Sequence, residues 1–224
     1  MFLIITRAFP PELGGMQSLM WGLTKEMSKN FMIKVYADYQ KNSREFDKKE
    51  NFTIERVSGI KFLRKIRKAQ LINEFLKENK VQGIIADHWK SLELIKTNKK
   101  SFCLIHGKEI NYPKDSSTNK RIIKILNNVE KIIANSEYTK NLAIRNGINQ
   151  DKIIVINPGV NTAQELNKNS LEKVESLLKI KTPRLITVSR FDKRKNHEKI
   201  IMALRNLKQI YPDIVYICVG YGKE

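Results

Sequence analysis

The chain has 224 residues and carries 42 lysines and arginines against 23 aspartates and glutamates, a formal net charge of +19. With 41% hydrophobic and 29% charged residues it is too apolar for a disordered polymer. A folded monomer of this size hides roughly 70% of its extended-chain surface, so a sizeable core is available. The longest apolar runs are a few residues long, which excludes a transmembrane helix. Phe2 to Ile5, followed closely by Pro10 and Pro11, is too short for a signal-peptide core. Two cysteines, Cys103 and Cys218, both in strand-like runs, exclude a disulfide framework, and the default address is the cytoplasm. The charge itself is weakly informative. Lys, Ile and Asn number 31, 29 and 20, and all three have A/T-rich codons, so genome bias accounts for part of the excess. A basic chain favours anionic partners in general: nucleic acid, anionic lipid or a nucleotide diphosphate.

Short apolar runs alternate with amphipathic stretches from end to end. Strands are expected at Phe2–Thr6, Met32–Ala37, Thr53–Val57, Val81–Ala86, Phe102–His106, Lys131–Asn135, Lys152–Ile156, Arg184–Val188 and Ile214–Val219. Most read apolar throughout, as strands do when both faces of a parallel sheet are covered. Between them, Met16–Ser28 places Leu19, Met20, Leu23 and Met27 on one helical face. Phe62, Ile66, Ala69, Ile72 and Leu76 form a second stripe, Ile122, Ile125 and Val129 a third, and His197–Ile210 a further helix. This alternation predicts a doubly wound α/β fold with a parallel sheet. Residues 161–182 are polar and end at Thr182–Pro183. They read as a linker with a helix at Leu171–Leu178, joining a first Rossmann-like domain (1–160) to a partial second one (183–224), which has room for about one β-α-β unit.

Three stretches carry candidate chemistry. The run Phe9–Ser18 follows the first strand and opens the first helix. Gly14 and Gly15 let the backbone approach an anion, and the helix start supplies unpaired N–H groups; a plain strand-to-helix turn is the alternative. Ser189–His197 follows the strand Arg184–Val188 and holds Arg190, Lys193, Arg194 and Lys195. It reads either as a diphosphate site at a strand's carboxyl end or as a solvated basic turn. His106-Gly107-Lys108-Glu109 ends another strand, where His106 is either structural or catalytic. Gly220-Tyr221-Gly222 is a phosphate-facing turn or an ordinary loop. His88, His106 and His197 are far apart in sequence, and no metal-ligand spacing or Gly-x-Ser-x-Gly elbow occurs, so no metal or cofactor is expected.

Taken together, Phe9-Pro10-Pro11 with Gly14-Gly15, His106-Gly107, Asn135-Ser136-Glu137-Tyr138-Thr139, Asn157-Pro158-Gly159-Val160-Asn161, and Val188-Ser189-Arg190 with Lys195 resemble the retaining GT-B glycosyltransferases of family four. The run Phe9–Ser18 is most similar to the phosphatidylinositol mannosyltransferase branch. The resemblance implies a two-domain enzyme that moves a hexosyl group, mannosyl in that branch, from a nucleotide-sugar to a lipid or polysaccharide acceptor. It implies that Gly14 and Gly15 present N–H groups to the donor diphosphate, that Arg190 and Lys195 neutralise it without a metal ion, that His106 stands at the reacting centre, and that Gln17 meets the acceptor. Ser189, Asn196, Asn161 and Lys108 depart from the family's usual residues. The family's Glu-x7-Glu region does not occur in the 224 residues, so the resemblance implies a truncated chain with little or no activity alone.

Between Arg56 and Lys80 stand eight basic residues and two acidic ones, with Arg64, Lys65, Arg67 and Lys68 beside the apolar stripe. This reads as a basic amphipathic helix for the inner face of an anionic membrane, or as a Rossmann helix with a lysine-rich outer face. A nucleic-acid-binding protein and a non-catalytic α/β scaffold are the competing classes. Against the first, there is no zinc finger, RNP-type motif or helix-turn-helix, and the aromatics are not interleaved with the basic clusters, so no nucleic-acid partner is expected.

Overall fold

In the computed structural model, residues 1–160, 165–179 and 182–222 are described. They form two compact units, Met1–Val160 and Asn161–Glu224. The first is built on a parallel sheet of seven strands: β1 (Phe2–Ile5), β2 (Ile33–Asp38), β3 (Thr53–Val57), β4 (Gly83–Ala86), β5 (Ser101–Ile105), β6 (Lys131–Ala134) and β7 (Ile153–Val155). Their order across the sheet is β3-β2-β1-β4-β5-β6-β7. Six helices lie between them: α1 (Gly15–Ser28), α2 (Ser43–Asp47), α3 (Lys61–Glu78), α4 (Trp89–Leu92), α5 (Ser117–Leu126) and α6 (Glu137–Arg145). This is the doubly wound α/β fold that the alternation predicts.

Side-chain alternation along the strands divides the core into two. Leu3 and Ile5, Ile84 and Ala86, Cys103 and Ile105, and Ile132 and Ala134 pack with Ile72 of α3, Trp89 of α4, Ile122 and Leu126 of α5, and Leu142 of α6. Ile4, Val35, Ala37, Ile85 and Leu104 point the other way, onto Met20 of α1, Phe9 and Phe52. Strands β1, β2, β4 and β5 therefore bury both faces, which is why the sequence reads apolar continuously there; each fully buried aliphatic side chain contributes about 1.5–3 kcal/mol. Burial also pushes the Cys103 thiol well above its ordinary pKa.

The second unit contains α7 (Lys168–Leu178), β8 (Arg184–Val188), α8 (His197–Ile210) and β9 (Val215–Val219), with β8 and β9 parallel. No described residue of these four elements is fully buried. Of the expected linker, residues 161–164, 180 and 181 fall outside the described residues.

The basic stretch 56–80 needs correcting. Arg56 lies on β3, not on a helix, and its nearly buried guanidinium pairs with Asp47 at 2.8 Å. Lys68 is buried against Asp38 at 2.6 Å, Arg64 pairs with the same carboxylate at 3.1 Å, and Lys65 pairs with Glu93. Several of these charges are thus spent inside the fold. The apolar stripe turns inward only from Ile66; Phe62 is 73% exposed, and Ile60 and Leu63 are exposed with it. Among the described residues no helix is long and apolar enough to cross a membrane.

Candidate functional site

Strand β1 is where the winding of the first sheet reverses, with β2 on one side and β4 on the other. Open parallel sheets bind ligands outside the carboxyl ends of the strands at such a reversal. Here the two strands are tied by Asp87, which is buried. Its Oδ2 accepts from Thr6 Oγ1 (2.8 Å) and from the Arg7 N–H (2.9 Å), and its Oδ1 accepts from Ser91 Oγ (2.7 Å). The Asp87 network fixes the backbone on both sides of the reversal and leaves the Arg7 side chain exposed. Neither Arg7 nor Asp87 stands out in the sequence, because their importance depends on strand order.

His88 follows and caps α4, its Nδ1 accepting from the Lys90 N–H at 2.9 Å. That bond makes Nδ1 the acceptor, so a neutral ring carries its proton on Nε2. Burial pushes the His88 pKa down to about 3, with help from the charges of Arg7, Lys90, His106 and Lys65. The ring is therefore neutral at physiological pH. The same interactions place His88 within electrostatic reach of His106, two residues the sequence separates.

His106 directly follows β5. Its backbone N–H donates to the Glu109 carboxylate, and its Nε2 is buried without a hydrogen-bond partner. A buried polar ring atom with no partner is costly, and a ligand hydroxyl would satisfy it. Gly107 has φ +108, a conformation open to glycine, and this turns the chain sharply away from the histidine. The Asn135–Thr139 stretch supplies the neighbouring wall. Ser136 caps α6 by accepting from the Thr139 N–H at 3.2 Å, and Thr139 Oγ1 donates to Asn135 Oδ1 at 2.7 Å. A Cβ on Gly107 would come within 3.5 Å of Thr139 Oγ1.

The glycine turn before α1 is fastened from behind. Phe9 is fully buried edge-on to Phe46 and Phe52, Arg56 donates to the Pro10 carbonyl, and the Glu12 N–H donates to Gln40 Oε1 at 3.0 Å. Gly14 and Gly15 are exposed, and no side chain caps the helix start, so its first N–H groups have no side-chain acceptor. The Gln17 side chain folds back over Gly14, while Gly15 faces open space. Gly14, Gly15, Gln17 and His106 thus share the carboxyl edge of the first sheet.

In the second unit, Arg190 and Lys195 are exposed on the loop after β8. Asp192 caps the short turn Lys193–Lys195 and pairs with Arg194 at 2.9 Å, which holds its carboxyl down at about 2. Among the described residues Arg190 and Lys195 have no carboxylate within ion-pair distance. Ser189 Oγ lies 3.1 Å from His197 Nε2, and His197 Nδ1 lies 3.2 Å from the Tyr216 hydroxyl, so this departure from the family pattern braces the loop. Asn196 adopts φ 54, and asparagine is among the non-glycine residues that tolerate that region best. Gly220 and Gly222 are explained by close approach: a Cβ at either position would collide with the carbonyl of Ser189 or of Phe191.

A partly closed cavity of about 180 Å³ lies at the same edge of the first sheet, between α3 and α4, and is lined by Arg7, Arg64, Lys65, Lys68 and Lys90 among others. A wider depression of about 590 Å³ lies between α3 and Lys96–Lys99. It is at the amino end of β5, the edge where parallel sheets do not hold ligands, and it carries no functional argument.

The family model described as Glycosyltransferase Family 4 matches residues 13–164. The chain belongs to this family. No curated protein matches the sequence. Among solved structures, the chain is similar to HepE from Anabaena in complex with UDP and glucose (TM-score 0.74, 17% identity), covering 99% of its own length and 61% of HepE. It is also similar to WaaG, a glycosyltransferase involved in lipopolysaccharide biosynthesis (TM-score 0.64, 13% identity, 99% and 64% covered). A third likeness is to a UDP-N-acetylglucosamine 2-epimerase from Rickettsia bellii (TM-score 0.51, 13% identity, 97% and 62% covered). These establish the GT-B fold. Because an epimerase shares that fold, the family match and not the fold carries the word transferase. The chain spans a little over three fifths of these structures' lengths.

Proposed function

We propose that this chain binds a nucleotide-sugar donor and takes part in retaining transfer of a hexosyl group to a lipid or polysaccharide acceptor, along the lines of the phosphatidylinositol mannosyltransferase branch. The observation that carries this reading is the unpartnered, buried His106 Nε2 on the same sheet edge as the uncapped N-terminus of α1. In the reaction the bond from the anomeric carbon to the diphosphate oxygen breaks, and the electron pair leaves with the nucleoside diphosphate. The acceptor hydroxyl oxygen bonds to that carbon on the same face and gives up its proton to the departing diphosphate oxygen. The group that needs stabilising is the departing diphosphate, and fixed N–H groups and cations are the efficient means. Gly14 and Gly15 would supply such N–H groups, and Arg190 and Lys195 such cations, without a metal ion. His106 would hold a hydroxyl of the donor sugar, and Gln17 would touch the acceptor. Neighbours solved with UDP, and one involved in lipopolysaccharide biosynthesis, support the donor and acceptor classes. Exposed Ile60, Phe62 and Leu63 beside Lys61 and Arg67 support peripheral contact with an anionic membrane.

Titration calorimetry with UDP and with GDP tests the donor half. One nucleotide is expected to bind, and the Arg190→Ala/Lys195→Ala double variant to weaken it by roughly a hundredfold, the effect of removing two charge-assisted hydrogen bonds. Equal affinity in the double variant would remove both residues from the diphosphate.

A further inference from the structure

We infer that the basic cavity between α3 and α4 is a phosphate-binding subsite, holding a phosphate ester carried by the acceptor. The inference rests on the glycosyltransferase reading only in naming the ligand an acceptor; the anion site stands on its own geometry.

The cavity draws cations from three elements: Arg7 after β1, Lys61, Arg64, Lys65 and Lys68 from α3, and Lys90 from α4. Two carboxylates answer them. Asp38 gives one oxygen to Lys68 and the other to Arg64, and Glu93 gives one oxygen to Lys65 and the other to Arg121. Both carboxylates are thereby used up. Among the described residues Arg7, Lys61 and Lys90 have no carboxylate within ion-pair distance. Lys68 is a built-in part of the site: its side chain is 7% exposed, and its ammonium donates to the Thr6 carbonyl at 2.8 Å and to Asp38 at 2.6 Å. An ammonium has three N–H donors, so one remains.

Like charges crowd here. The Lys90 ammonium is held below its ordinary pKa by burial and by the charges of Arg7, Lys61 and Arg121. Side chains that repel one another beside a partly closed cavity are what an absent dianion would reconcile, and Arg and Lys are the residues that bind phosphate. The volume of about 180 Å³ equals roughly six waters at about 30 Å³ each, room for a phosphate and part of the group it esterifies. The remaining lining includes Ala69, Ile72, Leu94 and Ile95, which suits an apolar or sugar-ring portion rather than a free ion. The site also has the right neighbour. Arg7 follows β1, Lys90 lies on α4 after β4, and His106 follows β5, so a phosphate held here lies at the same carboxyl edge of the sheet as His106.

The test uses the whole chain and its Arg7→Ala/Lys90→Ala variant, with Lys99→Ala, on the opposite edge, as control. Glucose 1-phosphate and inorganic phosphate are the soluble probes, and phosphatidylcholine vesicles with and without phosphatidic acid are the lipid probe. The parent and the control are expected to bind phosphate, and the double variant to bind roughly a hundredfold more weakly. Without ligand, the double variant is expected to melt no lower than the parent, because it removes repulsion; weaker binding without loss of stability separates a ligand site from a structural one. Binding only to phosphatidic acid vesicles identifies a lipid phosphate, and binding of glucose 1-phosphate a soluble one. Calorimetry with UDP or GDP keeps the two readings apart: the double variant should bind the nucleotide as the parent does. Unchanged affinity of the double variant for the probe that the parent binds, no binding of any of the three phosphate probes by the parent, or displacement of the bound phosphate by the nucleotide would overturn the assignment.

Discussion

Replacing Asp87 with alanine is expected to lower the melting temperature of the first unit by roughly 6–20 °C, the counterpart of about 3–5 kcal/mol. Asp87 is 1% exposed and accepts from Thr6 Oγ1, the Arg7 N–H and Ser91 Oγ. Truncation leaves buried donors without an acceptor, and it does so where β1 and β4 diverge. The damage is not confined to stability. The Arg7 backbone and the start of α4, which His88 caps, lose the group that spaces them, so the cation cavity and the histidine pair should loosen together. Asp87→Asn keeps the shape but turns an amide toward donors, and an intermediate loss is expected. Thermal unfolding by circular dichroism reads both variants. A shift of about 2 °C or less for Asp87→Ala would show that the network does not hold the two strands.

The second large effect is acid sensitivity through His88. Its folded pKa of about 3 lies below the ordinary value of 6.5, because burial and neighbouring cations oppose protonation. Between these values the unfolded chain binds the proton and the folded chain does not, so stability falls as pH is lowered through that window. The full span corresponds to roughly 3–5 kcal/mol, of which most is lost between about pH 6 and pH 4. Carboxylates such as Glu93, held low by Lys65 and Arg121, add acid lability of their own at the bottom of the range. The difference between the parent and His88→Asn isolates the histidine. Asparagine keeps a side-chain oxygen to cap α4 but cannot titrate. Chemical denaturation across pH 7 to 4 should give a steeper loss in the parent than in His88→Asn; parallel curves would contradict the assignment.

All nine strands of the described residues and the longer helices are legible in the sequence, because parallel strands rich in Ile and Val and amphipathic helices leave strong patterns. Strand ends differ from the expected ones by a residue or two. What escapes is short or depends on pairing. Helices α2 and α4 have five and four residues, too few for a period to show. Helix α6 hides behind Asn135–Thr139, whose Ser136 is its cap. The roles of Arg7 and Asp87 exist only once β4 is known to lie beside β1, a fact of strand order that no local pattern carries. The basic stretch misleads for a similar reason. Asp38 and Glu93 lie far from Arg64, Lys65 and Lys68 in sequence, so a reading by composition counts internal pairs as surface charge.

The candidate site was legible in its parts and not in its setting. His106, Gly14 and Gly15 announce themselves by glycine turns at strand ends, and Arg190 and Lys195 by local charge density. That the His106 ring nitrogen is buried without a partner, and that Asp192 takes Arg194 and leaves Arg190 and Lys195, emerges only from the folded chain.

The most direct test of the donor reading is to follow backbone amide signals of the whole chain while UDP, and separately GDP, is added. The N–H groups of Gly14 to Ser18, of His106 and Gly107, and of Ser189 to Lys195 are expected to shift together with one affinity, while those around Lys96–Lys99 stay still. Shifts confined to the wide depression between α3 and Lys96–Lys99, or none with either nucleotide, would contradict it.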